Sequence, residues 1–460
     1  MEHRCGLGQA ATLAVTRPAA KEPFIDDHQA PPECDTLRVI LVNHRYFVSG
    51  GPERYMFAVT EMLERAGHEV VPFSVRYSRN LETSWNEYFV EPIAGDDEVY
   101  FRDHSWSLRA VNRALQRAFY APDVSRSLSK LVTVAKPDVA LVQHYLRKLS
   151  PSILVGLKHA GVPIVVRLSD FGMVCPEAFM LRERQVCRRC ITHGLLSSVR
   201  YRCVQGSLSV SAVTCASMWF AKWRRYFDLI DYFIAPSAVM REQMIEGGYD
   251  GARIVVLPTF VEAPQLDRGG TRGRRIVYVG RLSPEKGIEV LLDAYQRMLP
   301  REGLGDVELL VAGEGVAAYT AELVARGRQI SPQVKFLGML DAEAVGGLLS
   351  GALLSVVPSL WYENTPNAIL ESLAAGTPVA ASDLGSMGDM LRGTDAGFLF
   401  RPGDSGDLAD VLECALLQPD TLARMSRSAR AVAASQYSPE AHLGGLLRVF
   451  ERAINRPDRT

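Results

Sequence analysis

Apolar positions along the chain fall into short runs that alternate with helical stripes. Residues 37–42, Leu-Arg-Val-Ile-Leu-Val, read as a buried strand. A loop from Asn43 to Gly51 follows. Pro52 and Glu53 then open a helix with Tyr55, Met56, Val59, Met62 and Leu63 on one face, and proline suits a first turn because its missing N–H would be unpaired there. Gly67 closes that helix and 69–73 starts a second strand. The alternation runs on through 139–143, 151–159 and 164–168. It breaks at 258–273, which is rich in Pro, Gly and charge, and then resumes. Residues 276–279 read as a strand, 287–297 as a helix, and 307–312 as a strand ending in Gly313-Glu-Gly. Further strands are expected at 334–337, 353–357 and 379–382. Short apolar runs between 3.6-period segments indicate parallel sheets with helices on both faces. The expectation is α/β: two doubly wound, Rossmann-like domains facing a cleft. They cover 37–257 and 274–436, joined by a linker at 258–273. Residues 1–36 lack periodicity and read as a disordered tail.

The size changes little in this picture: 460 residues, 47% hydrophobic and 22% charged, fit two domains. No apolar run reaches the ~18–20 residues that span a bilayer, and 1–36 show no basic-then-apolar leader. A cytoplasmic protein is expected, with no nucleic-acid partner. Charge changes more. The net value is −1, yet residues 99–225 hold 20 Lys and Arg against 6 Asp and Glu, or +14, leaving −15 elsewhere. Such asymmetry points to an anionic partner surface. Arg109, Arg113 and Arg117 recur every four residues, with Leu108, Val111, Leu115 and Phe119 on another face. Trp219, Phe220, Trp223, Tyr226 and Phe227 interleave with Lys222, Arg224 and Arg225. One reading is peripheral attachment to the inner face of the plasma membrane. The other is ordinary surface helices with apolar faces in the core and cations in water.

The candidate chemistry is concentrated in residues 358–378. Two carboxylates, Glu363 and Glu371, stand on either side of a helix start expected at Pro366. The free N–H groups of a first turn attract anions, so the segment offers an anion cradle between two carboxylates. A diphosphate carrying sugars at both ends is such a ligand. Gly280-Arg-Leu-Ser-Pro-Glu-Lys-Gly287 also links a strand to a helix, and Arg281 and Lys286 there can neutralise a departing diphosphate. Taken singly, each feature also reads as a solvated loop, and Gly50-Gly51 as a tight turn.

Together these segments resemble the retaining glycosyltransferases of family 4, group 1, which have the GT-B fold. The resemblance runs from about Leu37 to Leu447. It rests on 280–287, on 363–379 (Glu-Asn-Thr-Pro-Asn-Ala-Ile-Leu-Glu-Ser-Leu-Ala-Ala-Gly-Thr-Pro-Val), and on Gly-Gly-Pro-Glu-Arg at 50–54. Ala-Gly-His-Glu-Val at 66–70 and Asp-Tyr-Phe-Ile-Ala-Pro-Ser at 231–237 add to it. It implies transfer of a sugar from a nucleoside diphosphate sugar to a glycan or lipid-linked acceptor, as in surface polysaccharide or glycolipid synthesis. No metal would be required for catalysis. Arg281 and Lys286 would hold the diphosphate, with backbone N–H groups of Asn364, Thr365 and Asn367. Glu363 would meet the donor sugar and Glu371 the ribose. Gly50, Gly51, Gly280 and Gly313 would line the donor site, with Met339 and Leu340 facing the base. Residues 437–460 would cross back as a helix onto the first domain, which is the acceptor side. A front-side displacement is implied, with Asp170 as helper. Members often carry His-Asp where this chain has Ser169-Asp170, which puts the sugar contact at Ser169 in question; His144, near another strand end, is a candidate substitute. A nucleotide-sugar epimerase of the same fold and a non-catalytic nucleotide-sugar-binding subunit are the rival readings.

Eight cysteines complete the inventory, five of them within 175–215, an insertion in the first domain. Cys175, Cys187, Cys190 and Cys203 include a C-x-x-C and could form a tetrahedral structural zinc site. Free thiols and disulfide or redox pairing are the alternatives.

Overall fold

The computed structural model describes residues 36–95, 107–262 and 272–456. The expected tail up to residue 35, most of the 258–273 linker, Cys5, Cys34 and residues 99–106 of the basic segment lie outside the described residues. The chain forms two units. Among the described residues the N-terminal unit comprises 36–261, 361–367 and 436–456, and the C-terminal unit 272–360 and 368–435.

In the N-terminal unit, β1 (Arg38–Val42), β2 (Glu69–Phe73), β3 (Val139–Val142) and β4 (Ile164–Arg167) arise from the apolar runs. A small hairpin, β5 (Leu181–Arg182) and β6 (Gln185–Val186), lies in the cysteine-rich insertion. β7 (Tyr232–Ala235) and β8 (Ile254–Val256) complete a sheet ordered β2-β1-β3-β4-β7-β8, every pair parallel. β3 and β4 are buried along their whole length, as strands covered by helices on both faces must be. The helix Pro439–Ile454 packs in this unit. His442 Nδ1 donates to the Pro258 carbonyl at 2.7 Å and the Tyr55 hydroxyl donates to Nε2 at 2.9 Å. Burial pushes the His442 pKa down to about 3.

The C-terminal unit repeats the plan with β9 (Arg275–Val279), β10 (Glu308–Ala312), β11 (Val334–Gly338), β12 (Leu354–Val357), β13 (Val379–Ser382) and β14 (Gly397–Phe400). Its order is β11-β10-β9-β12-β13-β14, again all parallel. Each unit has its own apolar core. In sheets of this kind the connections leave in opposite directions at one point, opening a crevice at the carboxyl ends of two neighbouring strands. That point is β1/β3 in the first unit and β9/β12 in the second.

The helix Leu108–Phe119 corrects the sequence expectation. Its basic positions do not form a solvated stripe, nor does its apolar face enter the core. Arg117 is fully buried, bonded to Asp123 Oδ2 at 2.9 Å and to the Glu91 carbonyl at 3.1 Å. Arg113 donates to the Pro92 carbonyl. Leu108, Val111 and Leu115 face outward, Leu108 with 92% of its surface exposed.

Candidate active site

At the β9/β12 point the loop after β9 runs through Gly280 and Arg281 into a short 3-10 turn, Pro284–Lys286, and then the helix Ile288–Met298. Gly287 turns the chain there with φ +70°, and a Cβ on it would lie 1.9 Å from the Pro358 carbonyl oxygen. No other residue fits. Gly313, φ +136°, meets the Gly280 carbonyl in the same way. These close approaches draw the loops after β9, β10 and β12 together at one end of the sheet. Arg281 is exposed there; its Nη2 is 2.6 Å from Glu285 Oε1, which also accepts from Ser283. The guanidinium is thus oriented by its own loop. Met339, exposed, and Leu340, half-buried, follow β11. Glu371 is half-buried on the helix Asn367–Ala374, which starts one residue beyond Pro366.

Residues 361–367 belong to the N-terminal unit, where side chains anchor them. Asn364 donates to the Ser169 carbonyl, and Thr365 to that of Pro236 at 3.0 Å. Tyr362 packs on Phe171, and Trp361 on Phe179 of the insertion, with ring centroids 5.3 Å apart. The Trp361 indole N–H donates to Glu363 Oε1 at 2.9 Å, and only 7% of Glu363 is exposed. Glu363 is therefore a held carboxylate. Asn367 is exposed, and a Cβ on Gly51 would approach its amide nitrogen no closer than 3.7 Å. Gly51 begins the helix Gly51–Arg65, capped by extended Gly50.

A cavity of about 290 Å³ opens at the β1/β3 point, lined by residues including His44, Arg45, Gln143, His144, Lys148, Ser169 and Asp170. His144 Nε2 stands 3.5 Å from Asp170 Oδ2, so the structure brings together the candidate helper and the candidate substitute histidine. The Ser169 hydroxyl accepts from Arg167 at 3.0 Å. His44 is half-buried and its pKa lies well below the usual value, chiefly from desolvation and then from the nearby His144. Its Nδ1–H donates to the His144 carbonyl at 3.0 Å.

Two family models cover most of the chain: "Glycosyl transferase 4-like domain" matches residues 50–259 and "Glycosyl transferases group 1" matches 269–432. A glycogen synthase of Mycobacterium tuberculosis is 31% identical over 423 residues, covering 86% of this chain and 89% of that protein. The chain belongs to the group 1 glycosyltransferases. A phosphatidyl-myo-inositol mannosyltransferase of Mycobacterium leprae is 33% identical over 223 residues, 47% of this chain and 58% of that protein. The Mycolicibacterium smegmatis protein of the same name is 27% identical and covers 82% of this chain and 84% of its own length. A Rickettsia africae glycosyltransferase superposes with a TM-score of 0.63 at 13% identity, over 92% of this chain and all of that one. Anabaena HepE, solved with UDP, gives 0.59 at 17% over 90% of this chain and all of its own. The fold is the two-domain α/β architecture of the GT-B glycosyltransferases. Neither the epimerase nor the non-catalytic reading is favoured.

In this glycosyltransferase the cysteine insertion brings Cys175, Cys187 and Cys203 near Cys190. Among the described residues no group of three or more His, Cys, Asp or Glu is placed to hold a metal ion. Instead the Cys190 thiol hydrogen-bonds to Cys175, which lowers the Cys175 pKa and raises that of Cys190, with Cys187 and Cys203 near enough to act on Cys190 by charge. Sequence reasoning missed Gln143, His44, Arg45, Lys148 and Trp361. The signal available for the first two was position alone: each follows a buried strand at its carboxyl end.

Proposed function

We propose that this enzyme transfers a sugar from a nucleoside diphosphate sugar to a lipid-linked or surface-glycan acceptor, with the retention of configuration consistent with its family. The observation that carries the reading is the Gly280–Gly287 loop, which holds an exposed Arg281, oriented by Glu285, and a half-buried Lys286 beyond the carboxyl end of β9. Fixed cations there stabilise a leaving diphosphate without reorganising. Glu371 takes the ribose and the held Glu363 the donor sugar. Thermal unfolding with UDP-, GDP- and ADP-sugars, followed by transfer assays, tests it. The right donor at about 100 times its Kd adds roughly 2.7 kcal/mol. Stabilisation by none of them, with no transfer, rejects the reading.

The acceptor side of the reading includes a membrane surface. Among the described residues no helix is long and apolar enough to cross a membrane. Leu108, Val111 and Leu115 are nevertheless exposed, as are Trp219 and Trp223, whose rings stack 6.2 Å apart with 2° between planes. Arg109 stands exposed on the first of these helices and Arg225 just beyond the end of the second, while Tyr226 and Phe227 belong to the core. Exposed aromatics beside cations suit headgroup depth, and the names of the mycobacterial relatives place a phospholipid among their substrates. Vesicle binding should rise with anionic lipid, fall with salt, and weaken in Trp219→Ser/Trp223→Ser. Equal affinity for neutral and anionic vesicles, or none, favours a soluble acceptor.

A further inference from the structure

Gln143 is 2% exposed, and neither its amide nitrogen nor its amide oxygen has a protein partner. Its backbone N–H donates to the Val42 carbonyl at 2.8 Å, as the sheet requires. The side chain therefore adds no hydrogen bond to the fold. Burying an unpaired amide costs stability, and any apolar residue of similar size would serve the sheet better. Yet Gln143 stands in the wall of the cavity at the β1/β3 crevice, where sheets of this topology take their ligands.

The wall also carries the cations Arg45, Arg147, Lys148 and Arg167. His144 and Asp170 stand beside Gln143, 3.5 Å apart. Neutral His44 donates through Nδ1, which leaves its other ring nitrogen an acceptor. The loop after β3 holds Arg147 at φ +67° and Ser150 at φ +87°, a left-handed conformation that non-glycine residues adopt at a cost and that gathers at ligand sites. A volume of about 290 Å³ corresponds to on the order of ten waters, room for one monosaccharide-sized ring. An amide that offers both donor and acceptor, beside imidazole and carboxylate, matches a hydroxyl, which also gives and takes.

We propose that this cavity binds a polyhydroxylated six-membered ring and that Gln143 determines its specificity by bonding to ring hydroxyls. The proposal rests on the transfer reaction for one point only, the source of the ring: the acceptor or the sugar of the donor. The experiment compares wild type, Gln143→Leu and the near-isosteric Gln143→Met. Both variants should unfold a few degrees higher than wild type, because an unpaired buried amide is gone. Stabilisation of wild type by high concentrations of myo-inositol, D-glucose or D-mannose should disappear in both. In transfer assays one KM should rise tenfold or more with the other unchanged. A rise in the acceptor KM assigns the ring to the acceptor, and a rise in the donor KM assigns it to the donor sugar. A structural glutamine would give the opposite stability result. Lower unfolding temperatures in both variants, or unaltered polyol protection and unaltered KM values, overturn the proposal. If wild type transfers nothing yet is protected by a polyol that fails on the variants, the transfer reading falls and the ring site stands.

Discussion

In the N-terminal unit the loops at the chain-reversal point carry His44, Arg45, Gln143 and His144; in the C-terminal unit they carry Gly280, Arg281, Lys286 and Pro358. The sheets are nearly the same, six parallel strands each. What differs is how the ends are finished. The C-terminal unit brings backbone against backbone through glycines that admit no Cβ, and leaves cations outside. Its buried side-chain atoms without a protein partner are three hydroxyls, of Thr320, Ser355 and Ser382. The N-terminal unit leaves amide atoms of Asn43 and Gln143 in that state and sets a half-buried imidazole at His44. Both ends carry cations, since Arg45, Arg147, Lys148 and Arg167 line the N-terminal cavity; in the proposed reading the C-terminal end takes the diphosphate and the N-terminal end the ring hydroxyls.

The strongest way to break this contrast is to remove the cations. Arg281→Ala and Lys286→Ala should each lower kcat by about 10²–10³, the usual cost of losing one fixed charge-stabilising donor. Turnover at the wild-type rate in both would empty the C-terminal loop of its role. Glu371→Gln should weaken free nucleotide and intact donor alike, whereas Glu363→Gln should weaken only the donor. Equal loss of nucleotide affinity in both would undo that division.

Glycine substitutions probe the backbone side. Gly287→Ala must accept a left-handed residue and a collision with Pro358, and roughly 3 kcal/mol or more of stability should be lost. Gly51→Ala, in the equivalent loop of the other unit, meets nothing closer than 3.7 Å and should be near neutral. Denaturant midpoints at constant m-value would show whether the two differ.

Acid should separate the units as well. No histidine lies between His193 and His442, so the C-terminal unit has none. Burial sets the His442 pKa at about 3 against an ordinary 6.5. Between those values the unfolded chain binds the extra proton, so stability is full above about pH 6.5 and falls toward pH 3, by up to about 1.4 kcal/mol per unit. Hydrogen exchange at pH 5 should show the N-terminal unit opening first, and His442→Gln should flatten the dependence. A C-terminal unit that opens first would contradict this account.

The smallest effect concerns the insertion. Mild oxidation should link Cys175 to Cys190, the added oxidant taking two electrons and two protons, with mass spectrometry reading the loss of two hydrogen atoms and little change in unfolding temperature. About one tightly bound zinc per chain, with all four thiols protected, would show that the thiols close around an ion instead.

The strands were legible because a parallel sheet covered on both faces demands uninterrupted apolar runs, and 69–73 and 379–382 fall on β2 and β13 without a shift. β7 was visible only as part of a family motif, and β8 is three residues long, too short for periodicity to register. The helix Leu108–Phe119 misled for a tertiary reason. Its spacing offers a basic and an apolar face, and which one turns inward is decided by Asp123 and the Glu91 carbonyl, neither of them on that helix. At the site, the Gly280–Gly287 loop could be read because its chemistry is local. The Trp361–Glu363 bond is local too, but two residues apart in a loop carry no signal until Phe179 fixes the indole.

The grouping of residues 436–456 with 36–261 also has a consequence in time. During synthesis at about 5–20 residues per second, His442 leaves the ribosome roughly ten to forty seconds after Pro258. Throughout that interval Tyr55 and the Pro258 carbonyl wait for the imidazole that joins them, and Val449 and Phe450, fully buried in the finished chain, are still to come. The first half of the chain is made first but finished last, so it is this half that a nascent-chain binder would need to shield.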